Sequence, residues 1–349
     1  MRSQTLMFRA DASVAMGTGH VMRCLALAQA WQDHGGQCIF AMAQAAPGVE
    51  ERLRSEGMEV AVLPAPPGSE EDAAEFIELA RTNRSAWVVV DGYDFGAEYQ
   101  RLIKTAGLKQ LFVDDCGHAG GYCADLVLDA NLHAGENLYR QREANTRLLL
   151  GTRYALLRRE FAPWREWKRE ISPAGQKVLI TMGGSDPENV TGRVIDALGK
   201  IKAQELDVTV VVGRANPHIP AIERVALQFP GRLQLLHKAS GMAELMAWAD
   251  LAIIAAGGTL WELLYMMCPV VSFTRNQLQN EIVSRFGEDG PIKNMGCVHK
   301  LDPAALGSAI FELCGSREVR CRMSVLGRET VDGKGADRVC AQLLNGASC

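Results

Sequence analysis

Short apolar runs alternate with amphipathic segments along almost the whole chain, and this alternation restricts the fold more than any other feature. Runs at Thr5–Arg9, Gln37–Ala41, Met58–Leu63, Ala86–Val90, Lys109–Val113 and Asp125–Leu128 have the length and composition of buried strands. Segments of helical length lie between most of them: His20–His34, Val49–Glu56, Ser69–Asn83 and Ala97–Ala106. Strands separated by helices of this length imply right-handed crossovers and a parallel sheet. The pattern then restarts. Strands are expected at Lys177–Met182, Asp207–Val212, Arg232–Leu236, Leu251–Ile254 and Val270–Phe273, and helices at Glu188–Ala203, Ile219–Phe229, Met242–Ala249, Leu260–Met266 and Gln277–Phe286. The fold class is therefore α/β, with two Rossmann-like doubly wound parallel-sheet domains and an interdomain cleft for the ligand at the carboxyl ends of the strands. The expected division is 1–160, a charged linker with two prolines at 161–175, and 176–349, with the helical tail near 303–344 packing back on the first domain.

The 349 residues suffice for two such domains. A net charge of -4 gives no general attraction for nucleic acid or an anionic membrane. No apolar run reaches the length of a membrane span, and the first residues lead into a strand with no signal-peptide core. The ten cysteines are scattered without a Cys-x-x-Cys pair, and Cys38 and Cys268 sit beside apolar runs as small core residues. Reduced thiols in the cytoplasm are the expectation. The oligomeric state is not fixed by the sequence; a monomer is expected.

Three glycine-rich turns follow expected strands: Gly17-Thr18-Gly19, Gly183-Gly184-Ser185 and Gly257-Gly258-Thr259. Such a turn either packs strand against helix or lets the backbone approach an anion, whose charge the open amides of the following helix start then bind. None continues as Gly-Lys-Ser/Thr, and the first is Gly-x-Gly-His, so a dinucleotide cofactor is disfavoured. No cofactor is expected. His20 opens the helix after the first turn. A histidine there caps or packs, or it serves as a general base beside a phosphate-bearing substrate. Glu262, on the helix opened by the third turn, is either a solvated glutamate or an acceptor for both hydroxyls of a ribose. Asp91-Gly92-Tyr93-Asp94 and Asp114-Asp115 end strands, where both cleft residues and turn-forming acids occur. The amides of Asn276-Gln277-Leu278-Gln279-Asn280 suit either a polar helix start or the reading of sugar hydroxyls. His118, His133, His218, His237 and His299 show no metal-ligand spacing and read as structural or surface residues; no metal site is expected.

Arg9-x-Asp11 followed by Gly17-x-Gly19-His20-x-x-Arg23-Cys24-Leu25-x-Leu27-Ala28 resembles the opening of the UDP-2,4-diacetamido-2,4,6-trideoxy-β-L-altropyranose hydrolases. Further matches run in order through Val90-Asp91-x-Tyr93, Val113-Asp114-Asp115, Asp125-Leu126-Val127-Leu128-x-x-Asn131, Tyr154-Ala155-Leu156-Leu157-Arg158-x-Glu160-Phe161, Ile180-Thr181-Met182-Gly183-Gly184-Ser185-Asp186-Pro187-x-Asn189, Gly257-Gly258-Thr259-x-Trp261-Glu262 and Gly335-Ala336-Asp337-Arg338-Val339. The chain departs from the family pattern at Gly92, where members often carry histidine or another side chain. That family is similar in fold to the GT-B glycosyltransferases. The resemblance implies metal-independent hydrolysis of the UDP-sugar in pseudaminic acid biosynthesis, the pathway of flagellin glycosylation. Carried onto this sequence, it implies His20 as the base that activates water. Gly257, Gly258, Thr259 and Glu262 would hold UDP on the second domain, with the Gly17 and Gly19 turn facing the diphosphate. Arg9, Asp11, Tyr93, Asn131, Gly183, Gly184, Ser185, Gln277 and Asn280 would complete the substrate site. A glycosyltransferase of the same fold and a non-catalytic nucleotide-sugar binding protein are the alternatives, because the architecture hosts all three.

Overall fold

The structure is a computed structural model; it describes residues 4–14, 16–46, 48–200, 205–237, 239 and 241–346. The chain divides into two compact units, Met1–Arg159 with Gly333–Cys349, and Glu160–Asp332.

The first unit begins β1 (Thr5–Ala10), α1 (Gly19–Asp33), β2 (Gln37–Met42), α2 (Val49–Ser55), β3 (Glu59–Val62) and α3 (Glu70–Thr82). It continues through β4 (Trp87–Asp91), α4 (Ala97–Thr105), β5 (Lys109–Val113), β6 (Leu126–Asp129) and β7 (Arg147–Leu150). The strands form one parallel sheet in the order β3-β2-β1-β4-β5-β6-β7. Every residue of β1 and β4 is buried. Both faces of the sheet are covered, which is why these strands read as continuous apolar runs without period-two alternation. Met7, Phe76, Val88, Phe112, Val127 and Tyr139 belong to the core on one face. The chain winds outward from β1 to β3 and then returns to place β4 against β1. That reversal leaves a crevice at the carboxyl ends of β1 and β4, where a doubly wound sheet binds its ligand.

The second unit repeats the plan with β8 (Lys177–Thr181), α5 (Val190–Gly199), β9 (Asp207–Val211), α6 (Ile219–Leu227), β10 (Arg232–Leu236), α7 (Met242–Trp248), β11 (Leu251–Ala255), α8 (Thr259–Tyr265), β12 (Val270–Thr274), α9 (Gln277–Ser284), β13 (Ile292–Cys297), α10 (Pro303–Gly315) and α11 (Arg317–Thr330). Its parallel sheet has the order β10-β9-β8-β11-β12-β13, so its reversal falls between β8 and β11. The expected helix Glu188–Ala203 is observed as Val190–Gly199. Positions 201–203 of that expectation lie outside the described residues.

Segment 161–175 lies along the second unit. Arg169 donates to the carbonyls of Ala249 (2.5 Å) and Met266 (3.2 Å), the residues that end α7 and α8. A guanidinium there satisfies carbonyls that a helix terminus leaves open. Ser172 donates to Asp250 (3.0 Å), and the fully buried Arg320 holds the Ser172 carbonyl at 2.5 Å. The last helix, α12 (Gly335–Gly346), belongs to the first unit and packs on α1. A Cβ at Gly335 would stand 2.1 Å from the Ala155 carbonyl oxygen, so only glycine permits this approach.

The nine described cysteines are free, and Cys38 and Cys268 are buried. No helix among the described residues is long and apolar enough to cross a membrane.

Candidate functional site

The reversal of the first sheet gathers side chains from four elements. Asp91 ends β4 and is fully buried. Arg23, one turn into α1, reaches it with two short bonds, Nε to Oδ2 and Nη2 to Oδ1, both 2.6 Å. The third arm of the guanidinium, Nη1, donates to Asp115 Oδ1 just beyond β5, again at 2.6 Å. This planar fork matches two carboxylates at once, a geometry lysine lacks. The second oxygen of Asp115 accepts from the Tyr93 hydroxyl at 3.1 Å. Tyr93 in turn sets its ring edge-on to His20, with centroids 5.0 Å apart. Asn131, beyond β6, donates to Asp115 Oδ1 (3.1 Å) and to Asp129 Oδ1 (2.8 Å). Three of the residues singled out in the sequence, His20, Tyr93 and Asn131, are thus joined in one polar network. Arg23, Asp91, Asp115 and Asp129 bind them together.

His20 lies in the first turn of α1, which contains no acidic side chain and receives no side-chain cap from Thr18. Neither of its ring nitrogens hydrogen-bonds to a described residue; its contacts are the Tyr93 ring and the surrounding charges. Burial disfavours the imidazolium, and although Asp91 and Asp115 pull the other way, the proton affinity is lowered. The outcome is a neutral imidazole at neutral pH with nitrogens available to a water molecule or a ligand. Gly17 turns the chain back at φ 87°, its amide bonded to the Ser13 carbonyl at 2.8 Å. Gly19 is exposed, with open space where a side chain would stand.

A second acid, Asp114, organises the turn after β5. Its Oδ1 accepts the amides of Asp115 (2.6 Å), Cys116 (2.9 Å) and Gly117 (3.2 Å) and faces His118 Nδ1 at 3.0 Å. Its Oδ2 accepts from the Tyr122 hydroxyl. Burial opposes the charge, but these donors hold the carboxyl well below the usual range. The donor atoms of Asp114, Cys116 and His118 lie within 4.8 Å of one another. The hydrogen bonds just described already occupy both carboxylate oxygens, so the group is a self-satisfied turn. His118 is therefore part of the network and not one of the scattered histidines.

Asp129 closes the network on the far side. It accepts the Asn131 amide (3.0 Å) and the Tyr139 hydroxyl (2.9 Å), with no exposed surface. Burial, reinforced by Asp115, pushes its carboxyl up to about 7.

Arg9 and Asp11 sit elsewhere. Arg9 has no exposed surface. Strand alternation sends its side chain to the α3 face of the sheet, where Nε meets Asp72 (2.9 Å) and Nη1 meets Asp11 (2.8 Å), under the ring of Phe95. Asp11 spends its other oxygen on the amides of Ala43 and Gln44. These two residues clamp the ends of β1 and β2 and line no surface.

In the second unit the reversal places two glycine turns side by side. Gly183, at φ 88°, and Gly184 follow β8; Ser185 behind them is buried. Asp186 accepts the amides of Val190 (2.8 Å) and Thr191 (3.0 Å) and so starts α5. Gly257 and Gly258 follow β11, both exposed, and Gly258 has open space around a would-be Cβ. Thr259 begins α8, and Glu262 in its first turn is largely buried. Of the amide-rich segment, Asn276 caps α9 through the Gln279 amide (2.9 Å), and Gln279 accepts the Arg275 amide (2.8 Å). Gln277 is exposed and pairs with Glu281 (2.9 Å); Asn280 accepts from Asn294 at 3.4 Å. The helix-start expectation for this segment is thus met by Asn276.

No protein-family model matches the chain. An uncharacterised protein of Methanocaldococcus jannaschii is 27% identical over 78% of this chain, which spans only 56% of that relative's length. The spore coat polysaccharide biosynthesis protein SpsG of Bacillus subtilis is 26% identical over 96% of both chains. The UDP-2,4-diacetamido-2,4,6-trideoxy-β-L-altropyranose hydrolase of Campylobacter jejuni is 25% identical over 78% of this chain and 93% of its own. The resemblance read from the sequence motifs is thereby borne out. Among solved structures, Acinetobacter baumannii MurG matches with a TM-score of 0.64 at 17% identity, covering 98% of this chain and 99% of that one. MnaA of S. aureus, in a co-structure with UDP, matches with a TM-score of 0.67 at 13% identity, covering 99% and 97%. The fold is the GT-B type.

Proposed function

We propose that the protein hydrolyses a UDP-linked amino sugar, UDP-2,4-diacetamido-2,4,6-trideoxy-β-L-altropyranose or a close analogue, to UDP and the free sugar. The observation that carries this reading is His20: an imidazole at a helix start, seated at the reversal of a doubly wound sheet, with neither nitrogen hydrogen-bonded to a described residue and its proton affinity lowered by burial. The relative named as such a hydrolase supports the substrate class. In the reaction, water oxygen bonds to the anomeric carbon while the bond from that carbon to the β-phosphate oxygen breaks. His20 takes the water proton, and the electron pair leaves with UDP, already a good anion. The second unit by itself offers backbone amides at the Gly257-Gly258-Thr259 turn suited to a diphosphate and Glu262 suited to ribose hydroxyls. Tyr93 and Asn131 face the sugar. No divalent metal is required for a leaving group of this kind.

Incubating the protein with the UDP-sugar in ¹⁸O-labelled water tests the reading. UDP release without an acceptor, with label in the sugar and none in UDP, is the expected result. UDP release only after an acceptor is added would replace hydrolysis with glycosyl transfer, and label in the phosphate would place the attack at phosphorus.

A further inference from the structure

His118 lies behind Tyr93 as seen from His20. The three rings stack in order, His20 to Tyr93 at 5.0 Å and Tyr93 to His118 at 5.3 Å, each pair edge-on. Both nitrogens of His118 are engaged: Nδ1 with Asp114 Oδ1 at 3.0 Å, and Nε2 with the Phe95 carbonyl at 3.2 Å. A carbonyl oxygen only accepts, so Nε2 carries a hydrogen. Asp114 already accepts three amides and the Tyr122 hydroxyl, so its oxygen also presents a lone pair, and Nδ1 must donate too. With a hydrogen on each nitrogen the ring is a cation. Its burial works against that charge, yet the bond to Asp114 and the charge of that carboxylate outweigh it, and the proton affinity is raised.

We propose that His118 is a positioning residue, a doubly hydrogen-bonded imidazolium that pins the Tyr93 ring against His20 and whose positive charge favours the neutral, proton-accepting form of His20. Tyr93 is half exposed, and two contacts fix it: its hydroxyl on Asp115 and its ring on His118. The charged and titratable groups that face His118 are Asp114, Asp115 and Cys116 on its own turn, Tyr122 bonded to the same Asp114, Tyr93 after β4, and His20 on α1. The two histidines in the stack are therefore pushed in opposite directions: His118 toward the charged form and His20 toward the neutral one. The kinetic consequence rests on His20 being the base proposed above; the protonation assignment does not.

Nitrogen-15 NMR of the imidazoles in the full-length protein tests the assignment without any turnover. His118 should show both nitrogens protonated at pH 7, while His20 is neutral at that pH. A neutral His118 at pH 7 overturns the proposal. His118→Gln, which keeps a donor but loses the charge, should then raise the midpoint of His20 titration by up to about one pH unit, the scale of a unit charge acting across two rings. The acid limb of kcat/KM should move up with it, and kcat should fall about tenfold or more with KM little changed. An unmoved His20 midpoint in a folded His118→Gln protein overturns the proposal. If the NMR midpoint moves while the kinetic limb stays, His118 positions the ring as stated and the base assignment of His20 fails instead. Should His118→Gln not fold, Tyr93→Phe, which keeps the ring contact and drops only the Asp115 bond, must leave the His118 double protonation intact.

Discussion

Replacing Arg9 separates two readings of the N-terminal motif. The motif resembles a substrate-binding element, yet the Arg9 guanidinium has no exposed surface and faces Asp72 and Asp11. Arg9→Met keeps most of the side-chain volume and removes the charge. Asp72 is then left fully buried with the Gly68 amide to compensate its charge, and Asp11 keeps the Ala43 and Gln44 amides. Breaking a buried pair from one side leaves an uncompensated charge and costs about 3–5 kcal/mol. With a urea dependence of about 2–3 kcal/mol per molar, the midpoint of the first unit should fall by about 1–2 M. Urea unfolding read by hydrogen exchange on peptides of β1 and α3 isolates that unit. The second substitution, Asp72→Asn in the Arg9→Met background, should recover roughly 1–3 kcal/mol because the stranded charge is gone. Under conditions where Arg9→Met is folded, kcat/KM should stay within about tenfold of the parent, the range expected of a residue that acts through packing. An unchanged midpoint combined with a hundredfold or larger loss of kcat/KM would show that Arg9 touches substrate, and the clamp would be refuted.

Three further outcomes follow from the same coordinates. His20→Ala should lower kcat by about 10²–10⁴ while UDP affinity measured by calorimetry stays unchanged; in the parent, kcat/KM should decline only on the acid side, with its midpoint below the ordinary histidine value, because the base is lost when the imidazole gains a proton. Glu262→Gln should weaken UDP about tenfold or more, and should weaken 2′-deoxy-UDP by less, because that ligand offers the carboxylate only its 3′ hydroxyl; equal affinity of the parent for UDP and 2′-deoxy-UDP would remove Glu262 from the 2′ hydroxyl. Asp129 binds its proton more tightly folded than unfolded, so between its ordinary carboxylate range and about pH 7 the native state holds the extra proton and stability falls as pH rises. The difference in unfolding free energy between the parent and Asp129→Asn should therefore shift by a few kcal/mol across that window and level off above it; a pH-independent difference would show the carboxyl is not perturbed.

The sheets were legible because parallel strands covered on both faces leave long apolar runs, as in Leu251–Ala255 and Trp87–Asp91. Of the four edge strands, β3 and β10 were expected and β7 and β13 were not. β7 is four residues long, and β13 carries Lys293, Asn294 and Gly296; each pairs with one neighbour only, so neither must be apolar throughout. The site was half legible for a related reason. Strand-end acids such as Asp91, Asp114 and Asp115 are visible as types at known positions, but their partners are not: Arg23 is 68 residues from Asp91 and 92 from Asp115. His118 gave no metal spacing, and only the turn around Asp114 assigns it a role. Arg9 misled in the opposite direction. It stands one residue before the end of β1, where site residues gather, but the alternation of the strand turns it into the layer beneath α3.

The charges around His20 show why the network needs two cations. Asp91 and Asp115 each favour a proton on the imidazole and so act against its use as a base. Arg23 lies between the two carboxylates and touches both, so each acid faces the histidine with its charge already matched. His118 does the same for Asp114 on the other side of Tyr93. Once the opposing charges are paired within hydrogen-bond distance, what remains at His20 is mainly its burial, which favours the neutral ring. Removing either cation should therefore act on His20 with the same sign, raising its proton affinity, and Arg23→Gln should do so more strongly than His118→Gln because Arg23 is the larger of the two influences on His20. The reverse order, read by imidazole NMR, would mean that the ring stack and not the paired charge sets the protonation of the base.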